Sequence, residues 1–183
     1  MSIRTPNSKR HPMDANIMDR LARHQLALPV NIEGAIRDLG IVLKKDAALP
    51  PNIAGHIRRL PDGRFEIAST RDDHYFRQRF TMAHELGHFV LHRSLIGEGI
   101  DDNIKYRSAA DGEFYNTAID EIHEQQANSF AASLLIPERL LRGYLFDHRN
   151  EPLKRTATAF QVSPSAMRWR LKNLGLYQPD LDR

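Results

Sequence analysis

The sequence contains no cysteine and no long apolar run. Without cysteine among its 183 residues, the chain has no disulfide bond, no thiolate chemistry and no cysteine-based zinc finger. No apolar segment approaches the roughly 18 residues that a membrane span needs, and the N-terminus carries no apolar signal-peptide core. We therefore expect a cytoplasmic protein with no membrane segment.

A strong charge of either sign is also missing. The 26 Lys and Arg residues exceed the 23 Asp and Glu residues by a formal net charge of only +3. So small an excess does not by itself argue for nucleic-acid binding. With 41% hydrophobic residues, the chain can bury a real core, which suits one compact domain with a small additional subdomain.

The most informative pattern in the chain is His84-Glu85-x-x-His88. On a helix, residues four apart lie on one face, so the two imidazoles can converge on one Zn²⁺. Glu85 lies beside them, where a carboxylate can act as the general base that takes a proton from water. The pattern predicts a zinc hydrolase, with His84 and His88 as metal ligands and Glu85 as the catalytic residue.

The residues around this motif indicate a buried helix. The apolar residues near the polar trio are Met82, Ala83, Leu86, Phe89, Val90 and Leu91. Burying unpaired polar side chains among them would cost several kcal/mol, and a metal offsets that cost by using their lone pairs. Gly87 costs about 1 kcal/mol relative to Ala in a helix interior, which predicts that another helix approaches closely there.

A zinc site that leaves one position open for water needs a third protein ligand. His92 lies on the same helix, but at i+8 it has turned about 80° and risen about 12 Å from His84. One metal cannot be reached by all three histidines. We therefore expect His92 to make a polar contact at the end of the helix.

The third ligand is expected from a second informative stretch, residues 119–137. Helical spacing places Glu124 on a stripe of small residues that could approach Gly87 closely, and Asn128, one turn further on, could orient a ligand. The alternatives are Glu121, one turn further out, and His123, turned about 100° away. Glu124 is the favoured metal ligand.

Shorter elements complete the predicted fold. We expect a helix over residues 14–24, a helix from Ile32 to Leu39 capped by Asn31, a strand at residues 41–43, and a hairpin over residues 53–69 with Gly63 in its turn. Thr70 or Asp72 could cap the zinc helix. The predicted fold class is α+β: a mostly helical metalloprotease domain with a small antiparallel three-stranded sheet beside the HExxH helix.

The predicted domain organisation has three parts. Residues 1–12 form a mobile arm, residues 13–137 form the HExxH metallopeptidase core, and residues 138–183 form a C-terminal helical subdomain with helix-turn-helix-like character. Residues 93–116 are polar and rich in glycine. We expect them to form a long mobile loop that partly covers the site.

Three segments together resemble the ImmA/IrrE family of zinc metallopeptidases. They are RFTMAHELGH at residues 79–88, EQQANSFAASLLIP at residues 124–137, and FQVSPSAMRWRLKNLGL at residues 160–176. The resemblance covers roughly residues 30–177 and implies a gluzincin-type site. In such a site His84, His88 and Glu124 would hold zinc and Glu85 would be the base.

The same resemblance implies a biological setting. Relatives act beside a helix-turn-helix repressor that they cleave or inactivate, in stress responses, mobile elements or toxin–antitoxin-like pairs. Gln126 departs from the family pattern, in which a second Glu is common at this position. That departure concerns the electrostatics of the helix more than metal binding.

The C-terminal helices have two interpretations. Two helices joined by residues 161–163 are typical of a helix-turn-helix, with Arg168, Arg170 and Lys172 exposed for DNA. The other interpretation, favoured by the small net charge, is a packing subdomain whose basic face is solvated.

The sequence thus predicts a zinc-dependent endopeptidase that hydrolyses a peptide bond in a protein partner, such as a helix-turn-helix repressor or an antitoxin-like regulator. The alternative is a non-catalytic regulatory or toxin–antitoxin module that acts by associating with protein or DNA. Glu85→Gln separates the two, because it should abolish an enzyme's effect while zinc stays bound.

Overall fold

A computed structural model of the chain describes residues 12–96, 101–102, 119–149 and 151–179. The predicted mobile arm, residues 1–12, lies outside the described residues except for Pro12, which begins the first helix. Most of the predicted loop over residues 93–116 lies outside them as well. Its first residues form a short 3₁₀ helix, Arg93–Leu95.

The described residues form seven α-helices and four strands, and the α+β class is confirmed. In chain order they are α1 (Pro12–Arg23), α2 (Ile32–Asp38), β1 (Val42–Ala47), β2 (Gly55–Arg59), β3 (Phe65–Thr70), α3 (Tyr75–Leu91), β4 (Asp101–Asp102), α4 (Glu121–Leu135), α5 (Glu138–Asp147), α6 (Leu153–Phe160) and α7 (Pro164–Asn173). The HExxH motif lies in the second half of α3.

The sheet has the strand order β1-β3-β2-β4. β2 and β3 form the predicted antiparallel hairpin, and β4 adds two residues to the outer edge of β2. The prediction of an antiparallel three-stranded sheet was wrong for β1, which pairs with β3 in parallel. β1 and β3 are neighbours in the sheet and run in the same direction, whereas β2 runs in the opposite direction.

Local sequence explains most element ends. Asn31 caps α2 by accepting a hydrogen bond from the Gly34 amide at 2.9 Å. Gly63 closes the hairpin turn at φ +83°, a conformation that glycine adopts without strain. The prediction that Thr70 or Asp72 caps α3 was wrong. The helix begins at Tyr75, and the His74 ring accepts from the Phe76 amide at 3.2 Å.

One hydrophobic core joins the sheet to the helices. Ile57 and Ile67 of the sheet face α3, and the Phe65 ring meets the Phe89 ring edge-on at 5.1 Å. The C-terminal helices contribute Phe160 and Met167 to the same core. The core is continuous across the predicted boundary between residues 137 and 138. That domain boundary stays a prediction.

The close approach predicted at Gly87 is confirmed. A Cβ atom there would lie 3.1 Å from Ala127 Cα and 3.2 Å from the Phe130 ring, both on α4. α3 and α4 therefore pack backbone to backbone beside the motif. Among the described residues, no helix combines the length and the apolar character needed to cross a membrane.

Candidate metal centre

Three buried side chains from α3 and α4 converge on one point. The Nε2 atoms of His84 and His88 lie 3.0 Å apart. The two carboxylate oxygens of Glu124 approach different nitrogens: Oε2 lies 3.2 Å from His84 Nε2, and Oε1 lies 3.2 Å from His88 Nε2. The exposed fractions are 8% for His84, 0% for His88 and 6% for Glu124.

This geometry fits a divalent metal ion of the zinc type. Four ligands at about 2.0–2.1 Å from a tetrahedral zinc would stand about 3.3–3.4 Å apart, close to the three spacings observed. Two imidazole nitrogens and one carboxylate are also ligands that zinc accepts while it keeps a fourth position open. The group can therefore hold a metal ion.

Burial and the neighbouring groups shift the pKa values of all three side chains. Burial alone would raise the pKa of Glu124, but hydrogen bonds from His84 and His88 outweigh it and hold the pKa at about 2. Burial also opposes a charge on His84, yet Glu124 and Glu85 raise its pKa. Burial lowers the pKa of His88, and the neighbouring His84 adds to that effect. These pKa shifts favour the ionised carboxylate of Glu124 and the protonated form of His84, whereas they favour the neutral form of His88.

His84 and His88 each make a polar contact through Nδ1, the ring nitrogen that points away from the group of three. Asn128 Oδ1 lies 2.9 Å from His84 Nδ1, so the expected orienting contact is present. His88 Nδ1 lies 3.1 Å from His92 Nδ1, and His92 Nε2 lies 2.8 Å from Gln126 Oε1. His92 thus makes the polar contact expected at the end of α3, and it does so directly behind a predicted ligand.

The two alternative ligands lie elsewhere. Glu121 is exposed at the start of α4. His123 belongs to a capping box in which its Nδ1 accepts from the Asp120 amide at 3.2 Å. Neither belongs to the group of three.

Glu85 is almost fully buried next to His84 in α3. Sequence reasoning named it together with the three grouped residues, but it missed the connection from His92 to Gln126. The i, i+4 spacing of His88 and His92 was a usable signal for the first contact. The contact between His92 and Gln126 joins two helices, so the local spacing of the sequence could not predict it.

The fold and this group of side chains define a metallopeptidase-like domain. The sequence matches the Peptidase_M78 family, described as the IrrE N-terminal-like domain, over residues 39–172. The chain belongs to this family, and the resemblance noted from its motifs is confirmed.

A solved structure described as a Mycobacterium tuberculosis transcriptional regulator is similar in fold. It is 20% identical to this chain with a TM-score of 0.58, and the match covers 93% of this chain and 48% of that chain. This chain therefore spans about half the length of the regulator, and the likeness shows the fold alone. No curated protein matches the sequence significantly.

Proposed function

We propose that this chain is a zinc-dependent endopeptidase domain that hydrolyses a peptide bond in a protein partner. The observation that carries the proposal is the convergence of His84, His88 and Glu124 from two closely packed helices, with Glu85 buried beside them. Membership of the Peptidase_M78 family supports the same class of reaction.

The roles of the residues follow from their chemistry. His84, His88 and Glu124 would hold the ion, and zinc bound there would supply a Lewis acid that polarises the peptide carbonyl and lowers the pKa of water. Glu85 accepts a proton from the attacking water and returns it to the leaving amine. A C–O bond forms as the peptide C–N bond breaks.

The proposed partner is a helix-turn-helix repressor or an antitoxin-like regulator in the cytoplasm. The similarity to the ImmA/IrrE family supports this choice, and a stress-response or toxin–antitoxin setting would go with it. The structural neighbour is a transcriptional regulator, which is compatible with this choice of partner.

The second candidate is a binding module that acts by associating with protein or DNA. The observation in its favour is that α6 and α7 follow each other as in a helix-turn-helix, with Gln161 in the left-handed conformation between them. Against DNA binding, Arg170 donates a hydrogen bond to the Ile136 carbonyl at 3.1 Å instead of extending into solvent. Retention of the native chain on DNA that is lost with Arg168→Ala plus Arg170→Ala would support this candidate.

A peptide library prepared from a proteome tests the endopeptidase proposal. The zinc-loaded native chain should create new peptide termini that mass spectrometry detects. Zinc-loaded Glu85→Gln should create none, because the base that activates water is gone while the ligands remain. Equal numbers of new termini with both proteins, or none with the native chain, would contradict the proposal.

A further inference from the structure

A groove lies between α3, α4 and α7, next to the candidate metal centre. Its first part is a cavity of about 460 Å³ whose walls include Phe80, Asn128, Ser129, Ala132 and Trp169. A second cavity, of about 480 Å³, shares Phe80 with the first and extends to Phe76 and Ser165. Because the two cavities share a wall, we treat them as one groove and call it the α7 groove.

The α7 groove lies one helical turn from the proposed metal ligands on both α3 and α4. Phe80 lies one turn before His84 on the same face of α3, and Asn128 lies one turn after Glu124 on α4. Asn128 both lines the groove and supports His84 through the 2.9 Å contact between Oδ1 and Nδ1. The α7 groove and the candidate metal centre therefore share one contact residue, Asn128.

The walls of the first cavity favour an apolar occupant. Phe80 and Ala132 supply apolar surface, and Trp169 leaves 43% of its area exposed above them. None of the described residues that line this part is charged. A size of several hundred Å³, apolar walls and a few polar groups at the rim are the usual properties of a ligand pocket.

We propose that the α7 groove is a specificity subsite that receives a large apolar side chain, aromatic or branched aliphatic, of an extended peptide held across the metal centre. The proposal rests on the proposed endopeptidase function. α7 thus forms a wall of the substrate site, which gives the second helix of the helix-turn-helix-like pair a role in peptide binding.

Tryptophan fluorescence can report binding at this subsite, because Trp169 lines it and is the single tryptophan of the chain. Zinc-loaded Glu85→Gln can be titrated with acetylated, amidated twelve-residue peptides rich in Ser and Gly. Each peptide carries either one central Phe or, as its match, one central Ser. Phe peptides should shift Trp169 emission to the blue and reach saturation, because the occupant excludes water from the indole. Ser peptides should bind at least tenfold more weakly.

Matched variants separate the groove from the rest of the surface. Ser129→Glu places a carboxylate inside the groove and should weaken binding of the Phe peptide by tenfold or more. Thr158→Glu introduces the same group on the exposed side of α6, outside the groove, and should leave binding unchanged. Ala166→Leu fills the groove with apolar volume and provides a second test if Ser129→Glu folds poorly.

Cleavage by the native chain distinguishes this proposal from the one on which it rests. A saturable blue shift with no cleavage of any peptide would leave the subsite standing and remove the endopeptidase function. Cleavage with no preference for Phe or Leu over Ser at any position would support the endopeptidase function and overturn the apolar subsite. An absent shift, or equal shifts with Phe and Ser peptides, would overturn the α7 groove as an apolar subsite.

Discussion

At the residue scale, a metal ion held by His88 would decide which of its ring nitrogens carries hydrogen. His88 Nε2 faces Glu124 and His84 Nε2, so it would present its lone pair to the ion, and Nδ1 would carry the hydrogen. In that state Nδ1 would donate to His92 Nδ1, and His92 Nε2 would donate in turn to Gln126 Oε1. This relay of hydrogen bonds would hold the His88 ring in one orientation.

The relay predicts that His92→Phe weakens zinc binding. The substitution removes the acceptor for His88 Nδ1 and leaves a buried donor unpaired. Loss of such a supporting contact usually lowers metal affinity by about 10- to 100-fold. Competition with a chromogenic chelator measures the change.

Two further variants control this prediction. His92→Asn keeps an oxygen that can accept the hydrogen bond and should recover part of the affinity. His148→Phe replaces an exposed histidine at the end of α5 and should have no effect. Equal zinc affinity in His92→Phe and the native chain would refute the relay.

At the element scale, the contact between α3 and α4 makes the metal centre possible. Glu124 reaches the two histidines because Gly87 lets the backbones meet at Ala127. Any side chain at position 87 must push the helices apart or distort them. Stability and metal binding are therefore coupled through one residue without a side chain.

This coupling predicts the effect of Gly87→Val. Overpacking should lower the free energy of unfolding by roughly 1–3 kcal/mol and should weaken zinc binding, because α4 carries Glu124. Gly143→Val is the matched control, since the same change in α5 meets open space and should alter stability by less than about 0.5 kcal/mol. Similar unfolding curves for the two variants would argue against the close contact.

A buried carboxylate, Glu66, connects three strands of the sheet through ion pairs. Glu66 is buried on β3 and accepts from Lys44 on β1 and Arg58 on β2, each at 2.8 Å. Burial alone would raise the pKa of Glu66, but hydrogen bonds from Lys44 and His56 and the charge of Arg58 hold the pKa below its usual value. Because the folded pKa lies below the unfolded one, this stabilisation is present above the unfolded pKa and is lost as the pH falls through the folded pKa.

Glu66→Gln should therefore lower the stability near neutral pH by roughly 1.5–3 kcal/mol and flatten its decline on acidification. Urea unfolding between pH 3 and pH 7 would measure both effects. Glu138→Gln removes an exposed carboxylate that pairs with Arg142 within α5, and it should change little. An unchanged acid slope in Glu66→Gln would show that Glu66 does not connect the strands as described.

The sequence predicted the features that depend on short spacing. The i, i+4 histidines, the Asn31 cap and the turn at Gly63 each depend on a few neighbouring residues, and the structure has all three. The parallel pairing of β1 with β3 and the relay from His92 to Gln126 depend on segments distant in the chain. Local periodicity carries no information about which distant segments meet, so these features required the three-dimensional structure.

At the scale of the whole molecule, the C-terminal helices belong to the same core as the metal centre. Phe160, Met167 and Leu171 are buried with the residues of α3 and α4, and Arg170 binds the carbonyl that ends α4. A chain ending after Pro137 would expose this apolar surface. We expect the full chain to unfold in one cooperative transition, and the shortened chain to show no transition by calorimetry. A shortened chain with its own sharp transition would establish residues 13–137 as an independent unit.

We propose that His84, His88 and Glu124 hold one zinc ion while Glu85 acts on water. Zinc stoichiometry and affinity at neutral pH, measured for the native chain, His84→Ala, Glu124→Gln and Glu85→Gln, test this most directly. We predict about one tightly bound zinc per native chain, much weaker binding in His84→Ala and Glu124→Gln, and nearly native binding in Glu85→Gln. No zinc bound by the native chain, or an equal loss in Glu85→Gln, would contradict the account.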